Sequence, residues 1–363
     1  MRGARRAAQG LQALLFAAGR RTPLRGPAKL AWEVTERCNS RCLTCSRRDA
    51  APEELSTEEG MSLIQEAASL GVLSLSFSGG EPLLRRDLPD LVREAARLRL
   101  HASISTNGLL LRGETARMAL EAGLSTAYLS LDGCEATHDR IRGVPGGFRK
   151  VTEGARWLVS SHPRPRVFYN TTISRANLAE LPAIAAQAME DGVDGLTVQP
   201  AQIAPEVGLL PEPDLVLTAE DAADLARTLG SVVRRYPRLI PLPPRYLSDM
   251  PAFLRRPAMS QETPCVAGIL HAVVGSTGEV FPCPVQFASL GSLREGSLGQ
   301  VWRSPAARDL RRRIARGDHP PCWFNCVVPA SLALSGLLPL GWLSLVRSPA
   351  VRHLLRRTAC TGQ

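Results

Sequence analysis

Hydrophobic positions from about residue 29 to 200 fall in short runs that alternate with longer stretches of helical period. The runs predict strands at Leu30–Thr35, Val72–Ser76, Ala102–Ser105, Ala127–Leu131, Val167–Ile173 and Gly195–Val198. Between them the pattern predicts helices over 57–70, 87–98, 114–122, 147–160 and 178–191. Ser56 and Glu59 form a capping-box pair at the first helix, and Gly71 and Gly192 supply stops for the first and last. Repeated β-α units call for parallel strands joined by right-handed crossovers. Six such units predict an α/β fold of the partial (β/α)6 barrel type, short of the eight that close a full barrel.

The pattern changes after the sixth strand. Residues 206–262 are rich in proline and leucine and read as a connector with one helix over 218–235. A cysteine-bearing module follows at 263–328, and residues 329–363 form a tail that is apolar and then basic. Residues 1–28 make a basic and apolar N-terminal segment before the barrel at 29–205.

Charge sharpens this division. Residues 1–29 carry Arg2, Arg5, Arg6, Arg20, Arg21, Arg25 and Lys29 with no acid, and 347–363 carry four arginines with none. Those eleven exceed the net charge of +10, which leaves residues 30–346 at −1. A near-neutral body lacks the basic face that a nucleic-acid footprint needs, so no nucleic-acid partner is expected. The uncharged run from Val327 to Val346 is long enough to span a bilayer, but Pro329, Gly336, Pro339 and Gly341 interrupt it. Packing on the barrel or peripheral contact with a membrane surface suits it better. The apolar run Leu11–Ala18 has no small-residue cleavage site after it, and the cysteines are grouped as metal ligands are. The expected location is the cytoplasm, with possible peripheral attachment to the inner membrane face.

The candidate chemistry begins directly after the first strand, where Cys38, Cys42 and Cys45 stand in a Cys-x3-Cys-x2-Cys loop. Three thiolates can hold three irons of a cubane and leave the fourth open to a ligand, whereas a structural zinc site takes four protein ligands. A zinc knuckle completed by a remote residue is the alternative. Gly79-Gly80-Glu81-Pro82 follows the second strand, with two glycines that permit close backbone approach and a proline that stiffens the turn. Further on, Cys265, Cys283, Cys322 and Cys326 suffice for a whole 4Fe–4S cluster, or for one zinc.

The cysteine trio after strand one and the Gly-Gly-Glu-Pro turn after strand two resemble the radical SAM superfamily. Segments Ser105–Gly108, Ser130–Gly133, His138–Gly143 and Asn170–Ile173 are similar to the family's at the same strand ends. The resemblance implies that Cys38, Cys42 and Cys45 hold a catalytic 4Fe–4S cluster whose open iron chelates S-adenosylmethionine. It implies that Gly79, Gly80, Glu81 and Pro82 bind the cofactor's amino group through backbone and shape. Ser130, Asp132, Asn170 and Thr172 become candidates for its ribose and carboxylate, and His138 is expected to be structural. Where many relatives carry an aromatic residue before the third cysteine, this chain has Thr44.

The second cysteine group resembles the SPASM and twitch extensions, with four cysteines suggesting the shorter twitch type and an auxiliary 4Fe–4S cluster. Cys134 is left as a small filler and Cys360 falls in the tail. The implied activity is reductive cleavage of S-adenosylmethionine to a 5′-deoxyadenosyl radical, hydrogen abstraction from an unactivated carbon, and a net oxidation in a biosynthetic or peptide- or cofactor-maturation pathway. An electron donor such as flavodoxin or ferredoxin is implied, and the substrate could be a small molecule, peptide or lipid. Coupling or methylation of a membrane-associated lipid is the second expectation; a zinc-binding interaction protein is the remote one. No acid or base is assigned.

Overall fold

The computed structural model describes residues 25–45, 53–205, 209 and 211–335. The core is a run of β-α units whose strands are β1 (Lys29–Thr35), β2 (Ser74–Gly79), β3 (His101–Thr106), β4 (Thr126–Ser130), β5 (Arg166–Ile173) and β6 (Gly195–Pro200). All six pair in parallel, in sequence order. The intervening helices are α1 (Thr57–Ser69), α2 (Leu88–Arg97), α3 (Glu114–Glu121), α4 (Glu135–Arg142), α5 (Gly147–Ser160) and α6 (Leu181–Glu190).

Alternation along the strands decides what faces where. Leu30, Trp32 and Val34, Leu75 and Phe77, Ala102 and Ile104, and Leu196 and Val198 are buried against the helices. The opposite positions are smaller or polar, among them Ala31, Ser76, Ser78, Ser105, Thr197 and Gln199, and they line a cavity of about 440 Å³. The inner face of the sheet therefore encloses a chamber instead of packing as a core.

Local chemistry fixes the first helix as expected. The Glu59 N–H donates to Ser56 Oγ at 3.2 Å and the Ser56 N–H donates to Glu59 Oε2 at 2.7 Å, and Gly71 takes φ +90° just past the helix. A cap of this kind is worth about 1 kcal/mol. Strand β2 begins two residues later than the pattern suggested and runs to Gly79, so the glycine pair sits at its end.

The second half departs further from expectation. The connector holds two substantial helices, α7 (Ala222–Arg235) and α8 (Pro244–Arg255), and a short α9 (Met259–Glu262). The chain then supplies β7 (His271–Val274), β8 (Glu279–Phe281) and β9 (Gly291–Ser292). β7 pairs in parallel with β1, Lys29 opposite His271, and β8 and β9 follow antiparallel. The described residues thus form one nine-stranded sheet in the order β6-β5-β4-β3-β2-β1-β7-β8-β9. It is not closed. Its β6 edge is covered by Leu239, whose carbonyl accepts from the Leu196 N–H at 2.8 Å.

Helices α10 (Leu298–Arg303), α11 (Pro305–Ala315) and α12 (Val328–Ser335) complete the fold. The tail packs inward as far as it is described: Leu332 is buried, and Ser331 Oγ accepts from the Val266 N–H at 3.1 Å. Among the described residues no helix is long and apolar enough to cross a membrane. The basic N-terminal run up to Leu24, the apolar run beyond Ser335 and Cys360 lie outside the described residues.

Candidate active site

The Cys38–Cys45 loop leaves the C-terminal end of β1 and is held from two sides. Helix α4 and the turn after it receive it on one side: the Arg41 N–H donates to the Arg142 carbonyl at 3.1 Å and the Leu43 N–H to the Ile141 carbonyl at 2.8 Å. Asn107, at the end of β3, holds the other. Its Nδ2 donates to Asn39 Oδ1 at 2.7 Å and Ser40 Oγ at 3.0 Å, and lies 3.8 Å from Cys38 Sγ.

The glycine pair lies against the start of the same loop. The Gly80 N–H donates to the Thr35 carbonyl and the Glu81 N–H to the Arg37 carbonyl, both at 2.8 Å. A Cβ on Gly79, where φ is +115°, would sit 2.3 Å from the Thr35 oxygen, and one on Gly80 would sit 2.2 Å from the Arg37 oxygen. Only glycine fits at either position.

Glu81 is fully buried and turned inward. Its Oε1 accepts from Thr106 Oγ1 at 2.8 Å and the Leu83 N–H at 3.0 Å, and its Oε2 from the Asn107 N–H at 2.7 Å. Burial pushes its pKa up, against the pull of those donors. Pro82 starts the short helical turn Pro82–Leu84. The Glu81 side chain therefore ties the turn to β3, and the turn's backbone is what it can offer a ligand.

Of the four candidates for the cofactor's ribose and carboxylate, two also make contacts within the fold. Asp132 is 1% exposed; its Oδ1 accepts from the Thr172 N–H at 2.8 Å, and its Oδ2 pairs with Arg142 Nη2 at 2.5 Å. Asn170 Oδ1 accepts from Thr197 Oγ1 at 2.8 Å and Asn325 Nδ2 at 2.9 Å. Ser130 is the register partner of Asn170, and the hydroxyls of Ser130 and Thr172 have no partner among the described residues. These two keep hydroxyls free for a ligand.

Arg142, to which the sequence assigned no role, links the parts. Its Nη1 lies 3.8 Å from Cys42 Sγ while Nη2 holds Asp132. Burial works against its charge, but Asp132 and Cys42 outweigh that and hold its pKa above the usual value. His138 is structural, as expected: its Nδ1 accepts from the Asp132 N–H at 3.1 Å, and burial, reinforced by Arg142, lowers its pKa to about 4. Cys134 does not fill a gap. It is exposed ahead of α4, with its N–H donating to Glu180 Oε2 at 2.7 Å.

The second cysteine group lies between the two ends of the sheet. Cys265, Cys283 and Cys322 share a small apolar cavity, and Cys326 lines the barrel chamber. Trp323 anchors the Cys322–Cys326 segment. It stacks on Tyr246 and Phe253 of α8 at 5.7 and 5.1 Å, and its Nε1 donates to the Tyr246 carbonyl at 3.1 Å. The Trp323 N–H also donates to Gln202 Oε1 at 2.6 Å, beyond the end of β6.

Both cysteine groups fit iron–sulfur clusters by donor chemistry. The trio sits beneath N–H donors from Asn107 and Arg142, which favour cluster sulfur ligands. The second group is soft-donor and dry: burial pushes the Cys322 thiol up to about 12 and Cys283 well above its usual value, so thiolates there need a cationic partner such as iron. Among the described residues no three or more His, Cys, Asp or Glu side chains gather tightly enough for a single metal ion. A cubane places each thiolate on its own iron and does not require that convergence.

Comparison with known proteins agrees on the class. Residues 32–187 match the radical SAM superfamily and residues 265–327 the SPASM iron–sulfur cluster-binding domain. The chain is 30% identical over 295 residues to an AdoMet-dependent heme synthase of Oleidesulfovibrio alaskensis, covering 76% of this chain and 74% of that protein. It is 31% identical over 301 residues to a PqqA peptide cyclase of Rhodopseudomonas palustris, covering 77% and 74%. The fold matches Streptococcus suis SuiB bound to S-adenosylmethionine with a TM-score of 0.62 at 15% identity, over 79% of this chain and 68% of that one.

The chain belongs to the radical SAM superfamily and carries a SPASM extension. It is an enzyme whose cofactors are S-adenosylmethionine and 4Fe–4S clusters, and the reading as a zinc-binding interaction protein falls away.

Proposed function

We propose that the chain catalyses a net oxidative modification of a substrate seated in the barrel chamber, with Cys38, Cys42 and Cys45 holding the catalytic cluster and Cys265, Cys283, Cys322 and Cys326 the auxiliary one. The reduced catalytic cluster, when bound, supplies the electron that opens S-adenosylmethionine so that its adenosyl fragment can take hydrogen from carbon, and the auxiliary cluster supplies a sink for the electron left over. The chain's part is to hold and exclude. The backbone of Gly79 and Gly80 offers the close approach that the cofactor's amino group needs, and Ser130 and Thr172 keep hydroxyls free beside it. Asp132 and Asn170 position those strand ends. Asn107 and Arg142 fix the loop and direct N–H donors at its sulfurs.

The observation that carries this reading is the chamber itself. One wall is made by β1 to β6, beneath the Cys38–Cys45 loop, and another by β7, Pro284 and Phe324–Cys326 of the SPASM segment. A substrate inside it would stand between the two cysteine groups. Relatives named for heme synthesis and for peptide cyclisation bracket the substrate between a tetrapyrrole and a peptide.

Iron analysis tests the arrangement. Two cubanes require about eight irons per chain in the anaerobically reconstituted protein, and the Cys38→Ala, Cys42→Ala, Cys45→Ala variant should retain about half. Loss of all iron from that variant, with zinc in its place, would contradict the auxiliary assignment. The basic, apolar ends add a proposed peripheral contact with an anionic membrane, tested below.

A further inference from the structure

The chamber's far end, away from the Cys38–Cys45 loop, is formed where the strands begin. Lys29 opens β1, Arg166 opens β5 and His271 opens β7, and all three line the cavity. Lys29 and His271 are direct register partners, and Lys29 is close enough to act electrostatically on both His271 and Cys326. Arg166 lies over the Phe168 ring at 4.7 Å and acts on the Tyr128 phenol.

The three differ in setting: His271 is buried, Lys29 is half-buried and Arg166 is exposed at the start of its strand. His271 is 3% exposed, yet neither ring nitrogen has a hydrogen-bond partner among the described residues. Neither Lys29 nor Arg166 has an acidic partner among them. Glu33, the acid that lines this chamber, stands four residues beyond Lys29 along β1. For His271, an unsatisfied buried donor costs about 1–3 kcal/mol, and a ligand that supplies the missing acceptor offsets that cost.

We infer that this floor is an anion subsite that takes a carboxylate of the substrate, with Lys29 and Arg166 supplying charge and His271 an N–H donor. The inference rests on the proposal that the chamber holds the substrate. It also sets a length. Six residue steps separate Lys29 from Thr35, about 20 Å along the strand at 3.3 Å per residue. That span, less the reach of the lysine, must be filled by substrate and cofactor together. A carboxylate on the edge of a tetrapyrrole or on a side chain of a peptide would reach the floor while the reacting carbon faces the cofactor.

Calorimetric titration of the reconstituted, S-adenosylmethionine-loaded full chain separates these sources. One probe pair is hemin and hemin dimethyl ester; the other is a glutamate-bearing hexapeptide and its glutamine counterpart. The acid member of one pair should bind at least 10-fold more tightly than its neutral analogue, and the pair that shows this names the source. In Lys29→Gln and Arg166→Gln that preference should fall below 3-fold with the neutral analogue's affinity unchanged, which also shows that the variants fold. Lys29→Arg should keep the preference.

Equal binding of acid and neutral analogue in both pairs, binding of neither acid, or a preference that survives both glutamine substitutions overturns the inference. Formation of 5′-deoxyadenosine by the wild type without substrate reports separately on the radical reading. Failure of one is therefore distinguishable from failure of the other.

Discussion

Substituting Asp132 by Asn tests whether that carboxylate serves the fold or the cofactor. Asparagine keeps an oxygen for the Thr172 N–H, 2.8 Å away, but removes the charge that faces Arg142 at 2.5 Å. The acid side chain is 1% exposed and the arginine 17%, so little solvent can replace the lost partner. Breaking a buried pair from one side costs about 3–5 kcal/mol. At roughly 1.3 °C per kcal/mol for a chain of this size, the anaerobic thermal midpoint should fall by about 4–7 °C. Asp132→Ala should fall further, because the Thr172 N–H then loses its acceptor as well. Affinity for S-adenosylmethionine in the folded Asn variant, measured by equilibrium dialysis, should change by less than about threefold (about 0.7 kcal/mol). A midpoint within 1 °C of wild type together with a tenfold loss of cofactor affinity would refute the reasoning and restore Asp132 as a direct contact.

Asn107→Ala should lower the midpoint potential of the catalytic cluster in a redox titration read by electron paramagnetic resonance, since it removes an N–H directed at Cys38 Sγ. Trp323→Ala should cost about 3–5 kcal/mol in anaerobic urea unfolding and halve the iron retained on gel filtration, because the indole anchors the Cys322–Cys326 segment. Acid should destabilise the protein: His138 titrates near 6.5 when unfolded and at about 4 when folded, so its contribution, up to about 3 kcal/mol, is complete above pH 6.5 and lost as the pH falls towards 4. His138→Gln should flatten the urea midpoint across that window. The protein should sediment with anionic liposomes at low salt and be partly released at high salt, since each basic residue near such a surface is worth about 1 kcal/mol before screening; no sedimentation at low salt discards the membrane contact.

The β-α half of the fold was legible because its signals are local. Strand alternation, the Ser56–Glu59 cap and glycines past helix ends all act within a few residues. The SPASM half was not, because β7, β8 and β9 are four, three and two residues long and draw their stability from pairing with β1. Helix α8 was hidden by Pro244 at its start and Pro251 within it.

The cysteines and the glycine pair could be read from spacing, since ligand geometry constrains spacing directly. Asn107 and Arg142 could not: each acquires its role by meeting a cysteine 69 and 100 residues away. Lys29 was grouped with the basic N-terminal charges, yet pairing with β7 carries it into the chamber. Asn170 was a candidate from its strand end alone, and its contact with Asn325, 155 residues away, could not be read from the sequence.

The central claim is that Cys38, Cys42 and Cys45 hold the cluster that opens S-adenosylmethionine. Quantifying 5′-deoxyadenosine from anaerobically reconstituted, dithionite-reduced protein tests it most directly. Wild type should form the product, and the variant with all three cysteines changed to alanine should form none while its remaining iron stays bound. Equal yields from the two proteins would contradict the account.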